Sequence, residues 1–216
     1  MCSSLPNRCF GRERKINGRN DQETRIPALS TNHAGGSIVS KKAKLATVWI
    51  DGCSGCHMSF LDIDERLLEV AKLADLVYSP LVDPKDFPDM VDITLIEGAV
   101  SSEEDYEKIQ KVRKHTKILV SLGDCAVTAN VPGMRNPFKV KDIMERSYIE
   151  NADANQHIPV KVIPPLRKQS VPVHQVVDVD VFVPGCPPHA DTIFYALTEL
   201  LAGRTPDLQG KTHFGA

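Results

Sequence analysis

Four of the six cysteines lie in three short turns, Gly52-Cys53-Ser54-Gly55-Cys56, Gly123-Asp124-Cys125 and Pro184-Gly185-Cys186-Pro187-Pro188. Each turn follows directly on an apolar, strand-like run, at residues 45–50, 118–122 and 177–183. In an open parallel α/β sheet the carboxyl ends of the strands share one edge, and ligands collect in the crevice outside it. Three turns far apart in sequence therefore bring four thiolates to one edge, a donor set that suits a [4Fe-4S] cluster or a tetrahedral zinc ion.

The spacing discriminates between these. Successive cysteines are 3, 69 and 61 positions apart, so the ligands span a whole domain. Structural zinc sites usually use two close C-x-x-C pairs on a small ribbon or finger, and the spread favours a cluster. A thioredoxin-type dithiol at Cys53 and Cys56 fits the local context of a helix start, but it leaves Cys125 and Cys186 without a role. Cys2 and Cys9 match no common ligand pattern and read as incidental thiols.

A chain of 216 residues, 42% hydrophobic and 25% charged, is expected to form one sizeable soluble domain. Its net charge of −2 conceals an asymmetry. Residues 1–44 hold nine Lys/Arg against three Asp/Glu, and the remainder holds 17 against 25. An acidic body excludes nucleic acid as the main partner, because binding it requires clustered cations. No apolar run reaches the ~20 residues of a membrane span. No secretory h-region or twin-arginine pair opens the chain, and a cytoplasmic location with reduced thiols is expected.

Residues 1–43 lack any apolar period and read as a disordered arm. Residues 44–208 form the domain, and 209–216 a short tail. After the first cysteine turn, Phe60, Ile63, Leu67, Val70, Ala71 and Ala74 share one helical face. An extended stretch near 76–82 and a strand at 92–96 follow. Ser101-x-x-Glu104 predicts a capping box opening a helix to about His115. Six prolines between 131 and 172 mark an irregular insertion with one helix at 140–150. Ile193, Ala196, Leu197, Leu200 and Leu201 stripe a final helix. This alternation predicts a flavodoxin-like, doubly wound parallel sheet.

Glycines 52, 55, 123 and 185 allow backbone amides to approach cluster sulfurs. His57 is either a donor near the cluster or a polar helix-start residue. His189, after Cys186, is placed near an electron path or simply at a helix start. Glu97 ends a strand on the cysteine edge, either as a proton carrier or as a carboxylate favouring the next helix. Trp49 reads as core or interface. FMN would place its phosphate in the turn that carries Cys53 and Cys56, where it competes with a cluster for the same amides. No G-x-G-x-x-G or P-loop motif is present.

Taken together, these turns and the runs Cys53-Ser54-Gly55-Cys56-His57-Met58-Ser59-Phe60, Ile96-Glu97-Gly98-Ala99-Val100, Gly123-Asp124-Cys125-Ala126-Val127-Thr128, Val131-Pro132-Gly133-Met134-Arg135-Asn136 and Phe182-Val183-Pro184-Gly185-Cys186-Pro187-Pro188 resemble the small subunit of a [NiFe] hydrogenase. The resemblance covers residues 44–208. In detail it is most similar to bidirectional, NAD(P)-linked enzymes of the cyanobacterial type, within a superfamily shared with the 20 kDa subunit of complex I.

The resemblance implies that Cys53, Cys56, Cys125 and Cys186 hold one proximal [4Fe-4S] cluster. It implies a large-subunit partner with the [NiFe] centre, and diaphorase subunits carrying flavin and further Fe–S clusters. The export signal and the additional cluster-bearing C-terminal domain of periplasmic relatives are missing from the pattern, so a single cluster is expected. Nickel takes two C-x-x-C pairs and only one exists here, which assigns hydrogen activation to the partner. Complex I relatives show adjacent cysteines in the first turn, whereas Ser54-Gly55 separates them here. A flavodoxin-like FMN carrier and a purely structural module are the remaining alternatives.

Overall fold

The computed structural model describes residues 42–212; residues 1–41 of the arm, with Cys2 and Cys9, lie outside the described residues, and the last arm residue, Ala43, already belongs to the first strand. The first apolar run forms β1 (Ala43–Trp49), and the cysteine turn leads into α1 (Gly55–Leu61). A 3-10 turn joins it to α2 (Leu67–Leu73), followed at once by β2 (Ala74–Tyr78) and then β3 (Val91–Glu97). A short β4 (Val100–Ser102) precedes α3 (Glu103–Lys114) and β5 (Thr116–Leu122). Beyond it come α4 (Gly123–Thr128), α5 (Asn130–Gly133) and α6 (Val140–Glu145). The chain closes with β6 (Leu166–Val171), β7 (Val181–Val183) and α7 (Ala190–Leu201).

Five strands make one sheet in the order β2-β1-β3-β5-β7, every neighbouring pair parallel. Counting only these five, the order is 2-1-3-4-5, that of the flavodoxin-like doubly wound sheets. Their buried runs are almost continuously apolar, as strands covered on both faces must be. On one face, Phe60, Ile63 and Val70 pack with Ile193, Leu197 and Leu200 of α7 over Leu45, Ile93 and Ile118. On the other, Ile109 and Val112 of α3 and Ala126 of α4 cover Val48, Ile96 and Leu119. Each such fully buried aliphatic side chain contributes about 1.5–3 kcal/mol. The expected α/β architecture is therefore the one observed.

Several local expectations are corrected. The helix after the first cysteine turn is two helices, because Asp64 adopts a left-handed φ of 58° between them. Ala71 is exposed, and Ala74 is the buried first residue of β2 rather than part of a helical face. The capping box lies one position later than Ser101-x-x-Glu104. Ser102 Oγ accepts the Asp105 amide at 3.1 Å, and the Asp105 carboxylate accepts the Ser102 amide at 2.9 Å. Ser101 is not free to cap, since its hydroxyl is paired with Ser170 at 2.6 Å.

The proline-rich insertion is less irregular than expected. β6 pairs antiparallel with β4 in a separate two-stranded sheet, and Arg135 Nη2 donates to the carbonyls of Ser101 and Arg167 beside it. The helix at 140–150 exists, with α6 passing into a π turn at Arg146–Glu150. The last strand is only Val181–Val183, because the Val177 amide bonds back to Val173 O at 3.1 Å and residues 177–180 run as irregular chain. Asp180 then directs its carboxylate to the Leu119 amide at 2.7 Å and to Arg113. In the segment assigned to the tail, the Lys211 carbonyl accepts from Thr192 and its ammonium lies over the Tyr195 ring.

Asp92 clamps the amino-terminal side of the sheet. Burial opposes its charge, but Lys117 Nζ at 2.6 Å and the Lys44 amide at 2.8 Å outweigh that, and the carboxyl is held below its ordinary range. A depressed carboxyl stabilises the fold above its unfolded pKa of about 3.9, and the contribution is lost as pH falls through the lower folded value. In acid unfolding titrations, Asp92→Asn is expected to be less stable at pH 7 and to show a flatter stability decline below about pH 4. An unchanged acid limb would remove Asp92 from this role.

Candidate metal centre

The three cysteine turns all project from the carboxyl edge of the sheet. Cys53 and Cys56 follow β1, Cys125 lies in the first turn of α4 after β5, and Cys186 follows β7. Cys125 thus sits on a helix that starts immediately, with Leu122 as N-cap, and not in an open turn. Cys56 and Cys125 are buried, whereas Cys53 and Cys186 are exposed. The four are free thiols.

Their mutual reach shows in their electrostatics. Burial pushes the Cys56 thiol far up, and the charges of Glu97, Cys125, Cys53 and Cys186 push it further. Burial also raises Cys125; a hydrogen bond from the Val131 amide opposes it, while Cys53, Cys186 and Glu97 add to it. Four thiolates this close repel one another unless a cationic group stands among them, and metal coordination removes such protons outright. Four thiols from three turns of one sheet edge are a donor set that fits an iron–sulfur group.

Close backbone approach explains two glycines. Gly123 has φ of 81°, and a Cβ there would come within 2.2 Å of Cys56 Sγ. Gly185 has φ of 139°, with Pro188 Cα 2.6 Å from where its Cβ would be. The turns are also bound to each other. The Gly185 amide donates to Asp124 Oδ1 at 2.7 Å, and the Asp124 amide to Gly185 O at 2.9 Å. Ser59 Oγ donates to Pro188 O at 2.5 Å, joining α1 to the third turn. Hydrogen bonds reach the sulfurs from Gly55 N to Cys53 at 3.4 Å and from Asn130 Nδ2 to Cys186 at 3.5 Å.

His57 and Glu97 form one buried pair. Glu97 Oε2 accepts the His57 backbone amide at 2.8 Å and lies against His57 Nδ1. His57 Nε2 meets Thr47 Oγ1 at 3.0 Å, and Thr47 donates on to Ser79 at 2.7 Å. Glu97, at 2% exposure, therefore holds α1 against β3; it does not open the next helix, whose first-turn acids are Glu103, Glu104 and Asp105. His189 is exposed and is the N-cap of α7, accepting the Asp191 amide at 3.3 Å. Trp49 is 43% exposed at the end of β1, so it is not a core residue. The sulfur donor Asn130 was not anticipated; the signal available was its place immediately before the Val131–Asn136 run.

Fold and edge define the class as a doubly wound, parallel α/β domain that carries four cysteines at its strand ends. The signature of the family described as NADH ubiquinone oxidoreductase, 20 Kd subunit, matches residues 53–200 and so begins at Cys53 and takes in all four cysteines; the chain belongs to that family. It is 42% identical over 187 residues to the NAD-reducing hydrogenase HoxS subunit delta of Cupriavidus necator, covering 84% of this chain and 87% of that one. It is 35% identical to a subunit of the F420-non-reducing hydrogenase vhu of Methanocaldococcus jannaschii, over 81% of this chain but only 61% of the archaeal one. A crystal structure of an NAD+-reducing [NiFe]-hydrogenase in the H2-reduced state contains a chain that superposes with a TM-score of 0.77 at 36% identity, covering 81% of this chain and 99% of that chain. The family is one of oxidoreductase subunits and implies an iron–sulfur group. No described helix is long and apolar enough to cross a membrane.

Proposed function

We propose that this chain is the electron-transfer small subunit of a bidirectional, NAD(P)-linked [NiFe] hydrogenase in the cytoplasm, and that Cys53, Cys56, Cys125 and Cys186 hold one [4Fe-4S] cluster. The observation that carries the reading is the convergence of these four thiols on one sheet edge, each within the electrostatic field of the buried Cys56. The similarity to an NAD-reducing hydrogenase subunit supports the kind of complex. An iron–sulfur cluster supplies one-electron transfer at a potential set by its protein surroundings.

The chain's own residues do the rest. Buried Cys56 and Cys125 face the sheet, and exposed Cys53 and Cys186 face outward, which sets an inner and a solvent-side pair of ligands. The outward side is the face a large subunit with the [NiFe] centre would cover, with diaphorase subunits accepting the electrons for NAD(P). Gly123 leaves room for the Cys56 sulfur and Gly185 for the close approach of Pro188, and the Asp124–Gly185 bonds hold the second and third turns in register. FMN is disfavoured in the first turn: Glu97 already occupies the His57 amide at the start of α1, and a carboxylate there repels a phosphate.

The test is the composition of the complex purified without oxygen. Iron and acid-labile sulfide in equal amounts on this subunit, no flavin on it, and hydrogen-dependent reduction of NAD(P)+ by the complex are expected. Flavin in place of iron would overturn the reading in favour of an FMN carrier.

A further inference from the structure

We propose that the turn that ends the Cys125-bearing helix is a potential-setting donor clamp, in which the Asn130 side-chain amide hydrogen-bonds to the sulfur of Cys186 and raises the reduction potential of the group the cysteines hold. The inference rests on the iron–sulfur reading above.

The geometry is built with some effort. α4 carries Cys125 and ends at Ala129, which is 4% exposed and holds a left-handed φ of 66°. A side-chain-bearing residue adopts this region only when the surroundings impose it. Here the imposition is visible: the Ala129 amide donates back to Cys125 O at 3.0 Å, and the Ala129 carbonyl accepts from Gly133 at 2.7 Å. The reversal places the next residue, Asn130, at the cysteine edge. Asn130 Nδ2 donates to Cys186 Sγ at 3.5 Å across 56 positions of sequence. The turn that ends the Cys125 helix thus reaches the third cysteine turn with a donor.

A donor on a thiolate withdraws electron density from sulfur and favours the more negative, reduced state of a cluster. Asn130 is exposed, so its replacement leaves the core untouched. It touches no reacting atom and is a positioning and tuning residue.

The experiment compares the intact complex with Asn130→Ala and Asn130→Gln complexes by potential-controlled EPR, with iron and sulfide measured on each. Asn130→Ala is expected to keep its iron and shift the cluster midpoint to a more negative value, and Asn130→Gln, which retains the amide, to fall between. A wild-type midpoint in Asn130→Ala at full iron content overturns the proposal. Should Asn130→Ala lose iron, unaltered protein carrying asparagine labelled with 15N in its side chain decides: a hyperfine coupling from that nitrogen to the reduced cluster supports the clamp, and its absence overturns it. Failure of the iron–sulfur reading itself would show separately, as unaltered protein without iron or an EPR signal.

Discussion

Hydrogen-dependent NAD(P)+ reduction is expected to fall to background in a Cys125→Ala complex, with loss or conversion of the iron–sulfur group on this subunit. Cys125 is buried at the first turn of α4, directly after β5. On the proposed ligand set, removal of its thiol leaves three ligands. Reduction of an artificial dye taken directly from the partner's [NiFe] centre is expected to survive in part, because that centre does not depend on Cys125. Cys2→Ala and Cys9→Ala are expected to leave iron content and coupled turnover unchanged. Full iron and sulfide in Cys125→Ala, or a wild-type coupled rate without them, would dismiss the ligand assignment or the relay role respectively.

The second large effect is expected from a single methyl group. In Gly123→Ala the new Cβ lies 2.2 Å from Cys56 Sγ at a φ of 81°. Left-handed backbone costs a residue with a Cβ about 1–3 kcal/mol, and the overlap adds a packing cost of about 1–3 kcal/mol. Apart from its own helix and chain neighbours, the one atom within 3.4 Å of that Cβ is the Cys56 sulfur, so the strain falls on a proposed ligand. Denaturant unfolding should show a loss of at least about 2 kcal/mol, accompanied by reduced iron content. Gly203, also at positive φ but with nothing within 4 Å of its would-be Cβ, is the matched control; Gly203→Ala should lose only the backbone part, with iron unchanged. Equal behaviour of the two variants would show that crowding against Cys56 carries no weight.

The parts of the fold legible in the sequence are those set by local pattern. Residues 45–50 and 118–122 are apolar runs interrupted only by Thr47 and Ser121, and their burial in β1 and β5, apart from Trp49, is what such runs encode. The cysteine edge follows from them, since each turn begins where an apolar run stops. β6 was not legible because Leu166–Val171 reads Leu-Arg-Lys-Gln-Ser-Val, mostly exposed, and its reason for being a strand lies in β4. The capping box was displaced by one residue because Ser101 and Ser102 offer the same hydroxyl and Glu104 and Asp105 the same carboxylate. Only the tertiary bond between Ser101 and Ser170 separates the two frames.

The site divides in the same way. That four thiols share an edge is a matter of topology, and topology can be read from alternating strands and helices. That Glu97 grips His57, or that Asn130 reaches Cys186, depends on contacts across 40 and 56 positions, for which a single sequence carries no local signal.

The bonds between the ligand turns also set an order of events during synthesis. Gly185 meets Asp124 across 61 positions, and Pro188 meets Ser59 across 129. Contacts of such separation form only after most of the intervening chain has collapsed. While the ribosome is still making α6 and β6, the nascent domain has three of the four edge thiols and lacks Cys186, which follows β7. On the proposed ligand set the site is complete only once β7 joins the sheet, and its loading would be an operation on a nearly finished domain.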